Sequence, residues 1–114
     1  MKHAEIGNTV WLTAEVHFSA AHFYDPSRAR YQDFDPFWEF VTGPLHADSF
    51  PPGQLDDTFG PQVRFVKGPS TPNQPPSAGL QFAGEVLIDG LTEQMTVRII
   101  DLAGDVLFEV ASNP

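Results

Sequence analysis

Three residues in one short stretch carry side chains suited to binding a metal ion: Glu15, His17 and His22. Neutral imidazole suits zinc, iron, copper and nickel, and a carboxylate adds a hard oxygen donor. They lie at and just past the end of a run, Thr9 to Val16, whose β-branched and aromatic residues read as a strand. A strand that delivers a His from its C-terminal end into a loop is how open α/β sheets build sites. The spacing is not diagnostic, because His17 and His22 match neither the i, i+4 pair of a zinc helix nor a zinc finger. From spacing alone, surface or structural histidines are the more economical reading. Arg28 and Arg30 have the planar guanidinium that grips phosphate oxygens in pairs, although two solvated arginines after Pro26 are the more economical reading. His3 and His46 stand apart, and Asp101 and Asp105 bracket a tight turn, where carboxylates commonly serve the turn itself.

The elements that must position these groups follow from pattern. Val10, Leu12, Ala14 and Val16 share one face of the first run, with Trp11 on the other, which predicts an interior strand buried on both sides. Residues 17–26 read as a loop, since Pro26 turns Asp25 away from the helical region. A helical turn is expected from Pro26 to Tyr31 with Asp25 as its cap. A second helix is expected from Asp35, because Phe37, Phe40 and Val41 recur at i, i+3, i+4 and Gly43-Pro44 stops them. A long irregular stretch follows over 44–61, and Gln62 to Val66 reads as a short strand.

Residues 68–79 form a Pro-rich connector. The last third alternates most cleanly: Leu80, Phe82, Val86 and Ile88, then Met95, Val97 and Ile99, then Val106, Phe108 and Val110. Turns at Asp89-Gly90 and at Ala103-Gly104-Asp105 separate these runs into a three-stranded antiparallel meander with one buried face. The chain divides on this reading into a core segment 1–67, the connector 68–79 and the closing meander 80–114.

Composition narrows the function. The chain has 114 residues, 41% of them hydrophobic, with 10 Phe, 2 Trp and 2 Tyr, enough to fill a core. A net charge of −9 and only six scattered basic residues leave no footprint for nucleic acid. There is no Cys, hence neither a disulfide framework nor a thiolate metal site. The first residues, Met1 to Gly7, lack the apolar core of a signal peptide, and no apolar stretch reaches the length of a membrane span. Localisation is left open by these features.

The run Asn8 to Pro26 as a whole resembles the late metal-binding block of the alkaline phosphatase D-like (PhoD-like) metallophosphatases, in which a hydrophobic strand ends in Asp-Val-His and an Ala-Ala-His-Tyr-Tyr-like run follows. The stretches Gln32 to Leu45, Leu55 to Val63 and Gly79 to Asp101 continue the likeness. The resemblance implies an α/β fold tending to α+β, the C-terminal part of a metallophosphatase-type sandwich closed by the β-meander. It implies export, a dinuclear centre of divalent or trivalent ions (calcium and iron in some members) and hydrolysis of phosphate mono- and diesters. His17 falls on the family's metal-ligating His; Glu15 stands where the family has Asp, one methylene longer; His22 and Arg28 become near-site candidates. The family's other ligand motifs precede this block, which here begins at residue 8. The chain by itself is therefore expected to supply one or two ligands and no complete catalytic set. The rival expectation is a non-catalytic β-rich module that associates with itself as a homo-oligomer.

Overall fold

A computed structural model describes residues 6–113; His3 and the other N-terminal residues considered above lie outside the described part. Among the described residues, seven strands form two sheets. The larger has the order β1-β3-β2-β4, built from β1 (Val10–Thr13), β2 (Ser19–Tyr24), β3 (Phe37–Thr42) and β4 (Pro61–Lys67). The smaller is the meander β5 (Phe82–Ile88), β6 (Met95–Asp101) and β7 (Val106–Ser112). Strand takes 43% of the described residues and helical turns 6%, so the fold is mostly β. No α-helix occurs among the described residues, and none is long and apolar enough to cross a membrane. The α/β expectation is thereby corrected.

The second helix of that expectation is strand β3. Its apolar spacing suited a helix by coincidence, while aromatic and β-branched residues in Phe-Trp-Glu-Phe-Val-Thr favour a pleated surface. Pro36 stands just before the strand, where its missing N–H disturbs no ladder. Trp38 and Phe40 turn inward, and Phe37 and Glu39 turn to the other face. The expected loop 17–26 contains β2, a central strand paired to both β3 and β4. Ala20 and Ala21 are weak strand formers, but both are fully buried, because a central strand packed on each face has room only for small groups. Strand β1 is shorter than expected and lies at the sheet's edge, parallel to β3. Trp11 and Leu12 are about half exposed, so its two-sided apolarity does not make it interior.

The expected turn and the strands of the meander form, although Val86, Ile88 and Val106 on the meander's apolar face are exposed. Pro26–Arg28 is a single 3-10 turn, capped by Asp25, whose carboxylate accepts from the Ser27 N–H at 2.9 Å. The alternating runs of the last third are the three strands of the meander, in register Val86↔Val97↔Val110. Asp89 closes the first hairpin by accepting from the Leu91 and Thr92 N–H groups, each at 2.8 Å. Asp101 does the same for Ala103 and Asp105. Their carboxylates serve the turns.

The core lies between the sheets. Ala21 and Phe40 from one sheet meet Val97 and Ile99 from the other, flanked by Trp38, Phe65 and Phe108. At Gly84 the layers come close: a β-carbon there would lie within 2.6 Å of the Thr42 methyl. Only glycine fits there. The meander's outer face carries an ion-paired ladder in which Arg98 donates to Glu85 and Glu109. The opposite face of the larger sheet, turned away from the meander, presents Trp11, Thr13, His22, Tyr24, Phe37 and Glu39.

Candidate functional site

Two separate stations carry the groups of interest. The first is the turn after β1. That strand ends at Thr13, so Glu15 and His17 lie in the turn and bend beyond it. His17 has φ 61°, the left-handed conformation that non-glycine residues adopt rarely. Two contacts hold its ring. Its Nδ1–H donates to the Asp48 carbonyl at 2.6 Å, and its edge meets the Phe50 ring at 5.6 Å. The Phe50 N–H donates in turn to the His17 carbonyl at 3.0 Å.

The segment that grips His17 is itself clamped. Gln81, almost fully buried, uses its side-chain amide like a strand partner: Nε2 donates to the Ala47 carbonyl at 2.9 Å and Oε1 accepts from the Ala47 N–H at 3.1 Å. Ser49 and Gln74 exchange backbone hydrogen bonds at 2.8 and 3.1 Å. The Pro-rich connector thus fixes the loop that orients His17. With Nδ1 committed as a donor, Nε2 carries the ring's remaining lone pair, the arrangement in which metal-binding histidines are held.

Glu15 is exposed beside His17 and has no hydrogen bond or ion pair among the described residues. Arg28 ends the 3-10 turn with an exposed side chain. No group of three or more His, Asp or Glu side chains close enough to share a metal ion occurs among the described residues.

His22 belongs to the second station. It sits on β2 at 4% exposure and pairs across the ladder with Glu39 of β3. Its Nδ1–H donates to Glu39 Oε2 at 3.2 Å, and the Tyr24 hydroxyl donates to the same oxygen at 2.7 Å. The Thr13 hydroxyl reaches Glu39 Oε1 at 3.3 Å. Glu39 therefore anchors three neighbouring side chains from β1 and β2. His17 and His22 share no partner.

Aromatic rings surround the Glu39 carboxylate. Trp11, Tyr24, Phe34, Phe37, Phe59 and Glu39 line a cleft of about 390 Å³. Tyr24 stacks on Phe37 with centroids 4.4 Å apart, Trp11 tilts against Phe37 at 6.0 Å, and Phe34 meets Phe59 edge-on at 5.6 Å. Sequence reasoning placed Phe37 and Glu39 inside a helix and Trp11 on one face of a buried strand. The signal that finds them is the alternation 37/39/41 against 38/40, which sets Phe37 and Glu39 on one face of a strand.

Burial raises the Tyr24 phenol pKa well above its ordinary value, and the hydrogen bond to Glu39 and that carboxylate's charge raise it further. A phenol whose folded-state pKa is raised contributes stability that is complete below its unfolded value, about 10. That contribution is lost as pH climbs from there toward the folded value. In a Tyr31→Phe variant, phenolate absorbance reports Tyr24 alone and should rise only well above pH ~10, together with loss of structure. A Tyr24 phenolate forming at the ordinary pH in the folded chain would contradict the Glu39 hydrogen bond.

With strands, turns and donor groups placed, the chain can be assigned to a class: a two-sheet β structure with a loop-held histidine beside its edge strand. It belongs to the PhoD-like phosphatase family, whose sequence model it matches over residues 1–99. No curated protein and no solved structure matches it.

Proposed function

We propose that this chain is the C-terminal segment of a metal-dependent phosphoesterase, and that His17 Nε2 is the ligand it contributes to the metal centre. The observation that supports this is the geometry at His17. A strained backbone and a clamped loop commit Nδ1–H to the Asp48 carbonyl and leave one lone pair for an ion. Strain of this kind persists where surrounding structure imposes it and clusters at functional sites. Glu15, one methylene longer than the family's Asp, is exposed two residues earlier and can supply a further oxygen. Arg28 is free to meet a phosphate oxygen. A bound ion, calcium or iron by family likeness, would polarise the phosphoryl group and acidify a bound water. The protein's part is to fix the imidazole's tautomer and direction.

So small a donor set does not complete a hydrolytic centre, which needs several ligands to hold its ions and leave a position open. The chain alone is therefore expected to bind zinc or iron weakly and to turn over no aryl phosphate with calcium, iron, manganese or zinc. In a zinc titration followed by NMR, the His17 ring resonances should shift while those of buried His22 stay in place. Unmoved His17 resonances would remove it as a ligand. Metal-dependent hydrolysis abolished by His17→Ala would overturn the inactivity of the isolated chain.

A further inference from the structure

A carboxylate floored in aromatic rings is a binding arrangement in its own right. Glu39 is about a quarter exposed at the side chain, and among the described residues no Lys or Arg pairs with it. Its polar neighbours are Thr13, His22 and Tyr24, each a hydrogen-bond donor to the carboxylate, with His22 pairing with it as an ion when the ring is protonated. The ladder puts Trp11 and Glu39 side by side on β1 and β3, and Tyr24 opposite Phe37 on β2 and β3. Phe34 and Phe59 rise over this floor from the loops before β3 and β4. Ring faces attract cations through their quadrupoles, most strongly where water is excluded, and a nearby carboxylate adds direct charge attraction. A chain of net charge −9 draws cations toward such a cleft.

We infer that the cleft lined by Trp11, Tyr24, Phe34, Phe37, Phe59 and Glu39 binds a small organic cation of the alkylated ammonium class. Its volume of about 390 Å³ lies at the small-molecule end of binding cavities. Five apolar walls and one acidic floor disfavour phosphate and other anions. They equally disfavour a strongly hydrated inorganic ion, which would surrender its water for ring edges. A methylated ammonium surrenders little hydration and presents apolar methyl groups to every wall. The cleft's partners and those of His17 are different residues, so this inference stands or falls separately from metal binding.

Calorimetry and NMR on the intact chain, without metal, test it. The probes are choline and its uncharged isostere 3,3-dimethylbutan-1-ol. Choline should bind and shift the Trp11 indole resonance, and the isostere should bind weaker by about tenfold or more. Phe59→Leu removes one wall from an exposed loop position and should weaken choline severalfold. Glu39→Gln keeps the shape and the acceptor for Tyr24, and should weaken choline by about tenfold or more. Equal affinity for the isostere, no binding of either probe, or unchanged affinity in Phe59→Leu would each overturn the inference. If Glu39→Gln does not fold, the isostere comparison and Phe59→Leu decide it.

Discussion

Phe40→Ala is expected to lower stability by about 3–5 kcal/mol, a large share of the roughly 5–15 kcal/mol available to an ordinary domain. Phe40 is fully buried on β3, within the apolar core between the two sheets. Its ring stacks on Trp38 with centroids 5.5 Å apart and faces Phe108 of the meander at 6.4 Å. Truncation removes the transfer energy of the ring and leaves a cavity between layers that hydrogen bonding within each sheet holds in place. The neighbours below it are Ala21, Val97 and Ile99, which cannot extend to fill the space. Urea unfolding followed by tryptophan fluorescence should show a midpoint shifted far below wild type with little change in slope. Leu12→Ala serves as comparison, because Leu12 is 57% exposed on the edge strand and should cost less than about 1 kcal/mol. Equal shifts in the two variants would refute the sandwich core.

The meander that Phe40 packs against was readable from the sequence, and β3 was not. In β5 to β7 every second residue is apolar and Asp-Gly or Gly-Asp punctuates the turns, so period and turn chemistry agree. At Asp35-Pro36 two cues disagreed. The dipeptide and the 37/40/41 spacing resemble a helix start, while residue types favour a strand. Pairing with β1 and β2 settles it in favour of the strand, and that pairing is long-range information that no local window contains. Strand β2 was hidden for a related reason. Ala20 and Ala21 have little strand preference of their own and owe their conformation to neighbours on both sides. His17 was visible as a candidate because it follows a strand, but its grip by Asp48 and Phe50 depends on Gln81 and Gln74 folding back from the connector. The Glu39 cleft was least visible, since its walls come from four separated stretches and Phe37 and Glu39 read as helix.

Gly60→Ala should disturb that cleft more than Phe59→Leu does. Gly60 has φ 56°, and a β-carbon there would lie 2.5 Å from the Arg28 carbonyl oxygen and 2.9 Å from the Ala29 α-carbon. Both obstacles are backbone, and neither is free to move. The Arg30 and Tyr31 N–H groups donate to the Asp57 and Thr58 carbonyls at 3.4 and 2.9 Å, tying the 28–31 segment to the loop. Asp56 braces that loop by accepting from the Thr58 N–H at 2.8 Å. Left-handed backbone costs a side-chain-bearing residue about 1–2 kcal/mol, and overpacking adds typically about 1–3 kcal/mol. The loop can relieve the clash only by lifting from the 28–31 segment. That movement carries Phe59 away from Tyr31 and Phe34, whose rings lie 5.7 and 5.6 Å from it. The variant should thus unfold at distinctly lower urea, lose the ring-to-ring proton contacts of Phe59 in NMR, and bind choline more weakly than Phe59→Leu does. Gly53→Ala provides the control, since nothing lies within 4 Å of a β-carbon there and its φ is ordinary. It should be neutral or slightly stabilising through reduced freedom of the unfolded chain. If Gly60→Ala matched Gly53→Ala in stability and kept the Phe59 contacts, the close approach of the loop to Arg28 would be refuted, and with it the means by which the cleft acquires its outer wall.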